Sequence, residues 1–170
     1  MDREEAAVIF RTYSKKLFNI ALRITASVPE AEEIMQESII RYLTKAPRLD
    51  AEPMKAAWLR STCVRLSIDW LRRTRRLQPL DSGTESIPDE SGSPEDSMWG
   101  NMGKDTVAEV MSALESLPCG YRTVLVLRLI ENYDYGMIAG LMHISENGVR
   151  SQYLRARRKL AGILKDRLGK

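Results

Sequence analysis

The sequence predicts an all-α protein made of two small helical domains joined by a flexible acidic linker, and three observations carry that expectation. Apolar residues recur at three- and four-residue intervals in each long segment outside residues 77–105, and no segment alternates polar and apolar side chains as a half-buried strand would. Charge comes in blocks: residues 1–76 hold 15 basic and 10 acidic side chains, residues 77–105 one and seven, and residues 106–170 ten and six. The middle block also packs four Gly, three Pro and five Ser into 29 residues, a composition that buries too little apolar surface to offset the entropy of ordering it. Its exceptions are Met98, Trp99 and Met102, apolar enough to dock on a neighbour or to form one short helical turn.

At 170 residues, 44% hydrophobic and with a net charge of +3, the chain has the make-up of a soluble globular protein. Its two cysteines, Cys63 and Cys119, form no CxxC pair, which argues against a disulfide framework or a zinc knuckle and fits a reducing cytoplasm. No apolar run approaches the ~20 residues needed to span a bilayer, and the start, Met1 to Glu5, lacks the basic and apolar stretches of a signal peptide. A cytoplasmic location is expected. With His143 as the single histidine, a multi-histidine metal site is hard to assemble, and no nucleophile-base constellation stands out, so no catalytic residue, metal, cofactor or small-molecule substrate is expected.

Within the first block, Phe10, Tyr13, Leu17, Ile20, Ala21 and Ile24 mark a helix from about Glu4 to Thr25. A second opens at Ser27-Val28-Pro29-Glu30, where Ser and Glu three apart suggest a capping box, and runs to about Lys45. The third begins after Pro53 and continues to about Arg76. In the last block, Val107, Val110, Met111, Leu114 and Leu117 line a helix stopped by Pro118, and Tyr121–Glu131 supplies another. A short helix follows with Asp134 as its N-cap. After His143-Ile144, Ser145 caps a final helix reaching about Leu168. A short helix, a tight turn and a longer basic helix make the pattern of a helix-turn-helix unit.

Placed at 100° steps, Val149, Tyr153, Ala156 and Leu160 share the core side of that last helix, while Asn147, Ser151, Arg155 and Arg158 face away from it. Short polar side chains let the backbone approach base edges, and guanidinium groups reach guanine or phosphate; Arg150 and Arg157 flank the face and suit phosphates. An isolated helix of this kind is more often just a solvated basic surface. The short helix and capped turn ahead of it favour a recognition helix.

The third helix gathers Trp58, Thr62, Arg65, Asp69, Arg72, Arg73 and Arg76 within roughly 100° of arc. Aromatic and basic groups on one face can grip phosphates and stack or wedge against an unpaired base. The plainer reading makes Trp58 a core residue and the arginines a solvated helix end that complements the dipole.

Two sets of residues resemble a known family. Glu32-Glu33-Ile34-Met35-Gln36-Glu37-Ser38, then Ala57-Trp58-Leu59-Arg60 leading to Ile68-Asp69-Trp70-Leu71-Arg72-Arg73, resembles the second conserved region of extracytoplasmic-function (ECF) sigma factors of the sigma-70 superfamily. Leu117-Pro118, Arg122 to Arg128, Tyr135, Ile138-Ala139, Ile144-Ser145, Val149-Arg150-Ser151 and Arg155-Ala156-Arg157 are similar to their fourth region. The likeness covers nearly all of the chain outside the linker.

What the resemblance implies is a promoter-specificity subunit of bacterial RNA polymerase that initiates transcription without catalytic activity of its own. Residues 1–76 would be sigma region 2, binding core polymerase and the −10 element, and residues 106–170 the region 4 helix-turn-helix, binding the −35 element. By it, Glu33, Gln36 and Glu37 would dock core polymerase; read without the family they lie on an acidic stripe that is more often merely solvated. Trp58, Thr62, Arg65, Arg72, Arg73 and Arg76, with the loop before them from Ala46 to Met54, would recognise and open the −10 element. Asn147, Arg150, Ser151, Arg155, Arg157 and Arg158 would read the −35 element. The acidic linker 77–105 would thread a polymerase channel, and an anti-sigma factor is the expected inhibitory partner.

The chain departs from the family pattern in places. Arg65 stands where Asn is common, Gly136-Met137 where an acidic pair opens the short helix, His143 at the turn glycine and Gly148 at a common Thr. As a free coil the 29-residue linker spans roughly 30 Å against about 70 Å between two major-groove sites two turns apart, so a partner is expected to hold it open. Two other functions remain open on sequence grounds: a stand-alone helix-turn-helix transcriptional regulator and a helical adaptor that binds only proteins.

Overall fold

Residues 2–74 and 104–168 are described by the computed structural model, and the chain divides near residue 78 into two units, each with its own core. Every regular element among the described residues is a helix. The linker expected at 77–105 lies outside them except for its last two residues, as do Arg76, Met98, Trp99 and Met102.

In the first unit α1 (Arg3–Thr25), α2 (Val28–Lys45) and α3 (Glu52–Arg73) each pack against the other two. Ile9, Tyr13, Leu17, Ile20, Ala21 and Ile24 line α1's inner face, met by Ala31, Ile34, Met35, Ile39 and Tyr42 from α2 and by Leu59, Cys63, Val64, Ile68 and Leu71 from α3. Each fully buried Leu or Ile contributes about 1.5–3 kcal/mol, enough for three short helices to hold together. Phe10, which its spacing assigns to the α1 stripe, is 46% exposed, and Ile9 is buried instead. At 100° steps Phe10 lies nearer the centre of the stripe than Ile9, so the period favours Phe10 and the packing of α1 in the bundle overrides it.

The junction of α1 and α2 differs from the expected capping box. Ser27 stands at the N-cap, but its side chain makes no capping bond. With Ala26 in the left-handed region at φ 54°, the turn is tight enough for Thr25 Oγ1 to take the Ser27 N–H at 3.3 Å. That donor is the one Glu30 would have had to accept, and Pro29 removes another.

The second unit contains α4 (Lys104–Glu115), α5 (Cys119–Leu125), α6 (Tyr135–Met142) and α7 (Glu146–Leu168). The helix expected over 121–131 instead begins at Cys119 behind Pro118 and widens after Leu125 into one π-helical turn, Val126–Ile130. Glu131 N–H reaches back five residues to Val126 O at 3.0 Å, and Asn132 at φ 59° ends the segment. Its core joins Val110, Ala113 and Leu114 of α4, Val124 to Leu127, Ile138 of α6, and Val149, Tyr153, Ala156 and Leu160 of α7. Near the far end of α7, Arg167 donates to Ser112 Oγ at 2.9 Å and so fastens α4 across it.

Candidate nucleic-acid interface

The short helix α6 and the long helix α7 are both started by side-chain caps. Asp134 Oδ1 accepts the Met137 N–H at 2.8 Å, and Ser145 Oγ accepts the Gly148 N–H at 3.0 Å. Such caps satisfy orphan amide donors and contribute about 1 kcal/mol each. Between the helices His143 adopts the left-handed conformation, φ 56°, and its N–H closes on Ala139 O. The turn therefore has the geometry that glycine takes most easily, imposed here on histidine.

With Val149, Tyr153, Ala156 and Leu160 buried, α7 turns its other side outward. Asn147, Arg150 and Arg158 are exposed, while Ser151, Arg155 and Arg157 are half-buried. Two residues that projection of α7 alone does not place on this surface join it. The Tyr135 ring holds the guanidinium of Arg128 at 5.1 Å and that of Arg150 at 5.3 Å from its centroid, and meets Tyr153 edge-on at 5.9 Å. Cation–π contacts of this kind fix long side chains that would otherwise sample many rotamers. Arg128 comes from the π turn and Arg150 from α7, so no spacing in the sequence reveals their meeting.

On α3, Arg65 and Arg72 are exposed, Thr62 is half-buried, and Asp69 pairs with Arg72 at 3.4 Å. An exposed ion pair of this sort contributes little. Trp58 is half-buried and stacks edge-on against Tyr42, centroids 5.7 Å apart, so it is both a core neighbour and a surface ring. Arg73 turns toward α2: together with Glu33, Gln36, Glu37, Leu66 and Trp70 it lines a groove of about 340 Å³ with an acidic rim and an apolar floor. Glu37 there binds Arg41 at 2.7 Å. Arg76 lies outside the described residues.

The loop between α2 and α3 is held at its ends. Ala46 N–H donates to Tyr42 O, and Ala51 O accepts from Met54 and Lys55. At the start of α3, Glu52 Oε2 accepts from the Tyr13 hydroxyl at 2.6 Å and Oε1 from Lys55 at 3.0 Å. Burial, then the hydrogen bond to Glu52, push the Tyr13 phenol up to about 12. The Tyr13 hydroxyl first and Lys55 second hold the Glu52 carboxyl below its usual range, and Lys55 is raised in return.

Among the described residues no group of His, Cys, Asp and Glu is placed to hold a metal ion, and no helix is long and apolar enough to cross a membrane. The cysteines are unbridged, and Cys63 is buried with its thiol on Leu17 O.

Two family models match the chain: sigma-70 region 2 over residues 9–77 and sigma-70 region 4 over residues 108–160. It is similar to the ECF RNA polymerase sigma factor SigW of Bacillus subtilis, 28% identical over 97% of this chain and 91% of the relative. The ECF RNA polymerase sigma factor SigX of the same organism is 25% identical over 97% and 88%. In fold it resembles the sigma factor RpoE of Bartonella quintana, solved with the anti-sigma factor NepR, at TM-score 0.51 and 16% identity over 95% of this chain and 98% of that one. Two helical units matching sigma regions 2 and 4 in that order, with near full-length relatives of one kind, place the chain in a single family: it belongs to the ECF sigma factors of the sigma-70 superfamily.

Proposed function

We propose that the protein works in the cytoplasm as the promoter-reading subunit of bacterial RNA polymerase, initiating transcription with no catalytic chemistry of its own. Region 2 docks core polymerase through the α2–α3 groove, where Glu33, Gln36 and Glu37 offer carboxylates and an amide above apolar Leu66 and Trp70. Trp58, Thr62, Arg65, Arg72 and Arg76, with the 46–54 loop, take the −10 element; Arg73 stands between the two surfaces. Region 4 reads the −35 element with Asn147, Ser151, Arg155 and Arg158, while Arg150, Arg157 and the Tyr135-held Arg128 grip phosphates. An anti-sigma factor is the regulatory partner that fits this family.

The observation that carries this reading is the doubly capped α6–turn–α7 unit with a basic outward face. The modest positive charge limits the number of phosphate contacts, so the protein alone is expected to bind duplex DNA weakly and with steep salt dependence. Run-off transcription with purified core polymerase tests it: specific initiation is expected only when the protein is added, and tight sequence-specific binding by the protein alone would count against it. A helical adaptor is separated by charge reversal. Arg155→Glu with Arg158→Glu is expected to abolish −35-dependent initiation while core binding persists, whereas an adaptor would tolerate both changes.

A further inference from the structure

The 46–51 loop joins two helices whose facing ends are each tied to a neighbour by an aromatic residue. At the α2 end, Tyr42 is 5% exposed and stacks against Trp58 of α3. At the α3 end, Tyr13 of α1 reaches across 39 positions in sequence to Glu52. The Tyr13 ring is 6% exposed, so its hydroxyl has one direction to point. Glu52, by contrast, has a side chain 67% exposed. A surface carboxylate normally samples several rotamers, and fixing one costs side-chain entropy without helping the core. Here both carboxylate oxygens are engaged, one by a buried phenol and one by Lys55.

We propose that Tyr13 is a positioning residue for capture of the −10 strand: its hydroxyl latches Glu52 and so fixes the α3 end of the 46–51 loop in the shape that receives an unpaired base. The proposal rests on the assignment of that loop to the −10 element made above. A loop pinned at both stems is already ordered before DNA arrives, so less binding free energy is lost in ordering it. Because the phenol keeps its proton and the carboxylate its charge throughout the neutral range, the latch stays closed under working conditions.

The test uses holoenzyme reconstituted with core polymerase and the single-stranded non-template −10 segment of a promoter mapped by run-off transcription, with each base removed in turn. Wild type is expected to show at least one position where loss of the base weakens binding by about tenfold, as for a stacked base. In Tyr13→Phe, which keeps the ring, that sensitivity is expected to fall to about twofold while affinity for core polymerase is unchanged. Glu52→Ala should behave alike, the double variant should be no worse than either single one, and Glu52→Gln, whose carbonyl still accepts the hydroxyl, should restore the wild-type profile. Retention of the wild-type base profile by Tyr13→Phe overturns the latch and leaves the −10 assignment standing. An even loss at all positions together with core binding also overturns it, since Tyr13 would then only support the fold. A wild type indifferent to every base overturns the −10 assignment itself, and the latch with it.

Discussion

The ring of Trp58 meets that of Tyr42 edge-on, with centroids 5.7 Å apart and planes at 68°. Tyr42 is buried and Trp58 half-buried, so the indole is anchored along one side and open on the other. Such a pair contributes about 0.5–1.5 kcal/mol beyond its buried area. Trp58→Ala is therefore expected to cost region 2 about 2 kcal/mol, well short of the loss for a fully buried tryptophan. Promoter opening should fall by roughly tenfold or more. Trp58→Phe keeps the edge contact and should recover most of the stability. Unfolding curves set beside open-complex assays check this, and normal opening by Trp58→Ala would remove the residue from the −10 surface.

Arg128, Tyr135 and Arg150 form a second aromatic arrangement, one that holds two cations beside the start of α7. If Arg128 meets a phosphate, Arg128→Ala is expected to lower the slope of log affinity against log salt by about 1, with equal loss on every −35 sequence. Tyr135→Leu should leave that slope almost unchanged yet weaken binding by roughly fivefold, because the charges remain and only their placement is lost. Filter binding of holoenzyme at several salt concentrations separates the two. A change in base preference in Arg128→Ala would make it a base reader instead.

These cases also show what could be read from the sequence and what could not. The caps of α6 and α7 were legible because Asp134 and Ser145 act on donors three residues away, within one helical turn. The same rule misled at Ser27, whose N–H was taken by Thr25 Oγ1 from the preceding helix. The core stripes of α1 and α7 followed from period, except that Ile9 is buried where the period points to Phe10. The π turn at Val126–Ile130 left no mark in the apolar pattern, which the whole 121–131 stretch satisfies. Contacts that join distant positions, Tyr13 to Glu52 and Arg128 to Arg150 through Tyr135, depend on how helices cross, and a single sequence does not specify that.

The Tyr13–Glu52 pair gives region 2 a pH signature. Burial and the Glu52 carboxylate raise Tyr13 from 10.0 to about 12, with Tyr42 adding a little; around Glu52 the opposing charge is Lys55, itself within reach of Glu5 and Tyr42. A phenol whose folded value is raised favours the protonated form in the native state. Its contribution is full below pH 10.0 and is lost as pH climbs through about 12. Glu52 runs the other way: its value is lowered from 4.5, so its share is present above that pH and fades on acidification below it. The stability difference between wild type and Tyr13→Phe is expected to be level from neutral pH to 10.0 and to shrink steadily above it. Denaturant midpoints across that range check this. A difference that stays level up to pH 12 would mean the phenol's proton does not matter to the fold.

Region 4 carries helical glycines, and their surroundings predict different responses to a methyl group. At Gly140 in α6 a Cβ would meet nothing within 4 Å. Replacing glycine by alanine there lowers the entropy of the unfolded chain and gains about 1 kcal/mol, which in a domain of this size raises the melting temperature by roughly 5 °C. At Gly148 in α7 a Cβ would stand 3.1 Å from Ser145 Oγ, the oxygen that caps the helix by accepting the Gly148 N–H. The same propensity gain is then set against a strained cap of about equal worth, and the expected change is close to zero. Calorimetry of Gly140→Ala and Gly148→Ala in the full chain distinguishes the two sites. A stabilisation of Gly148→Ala as large as that of Gly140→Ala would show that Ser145 yields freely and contributes little to starting α7.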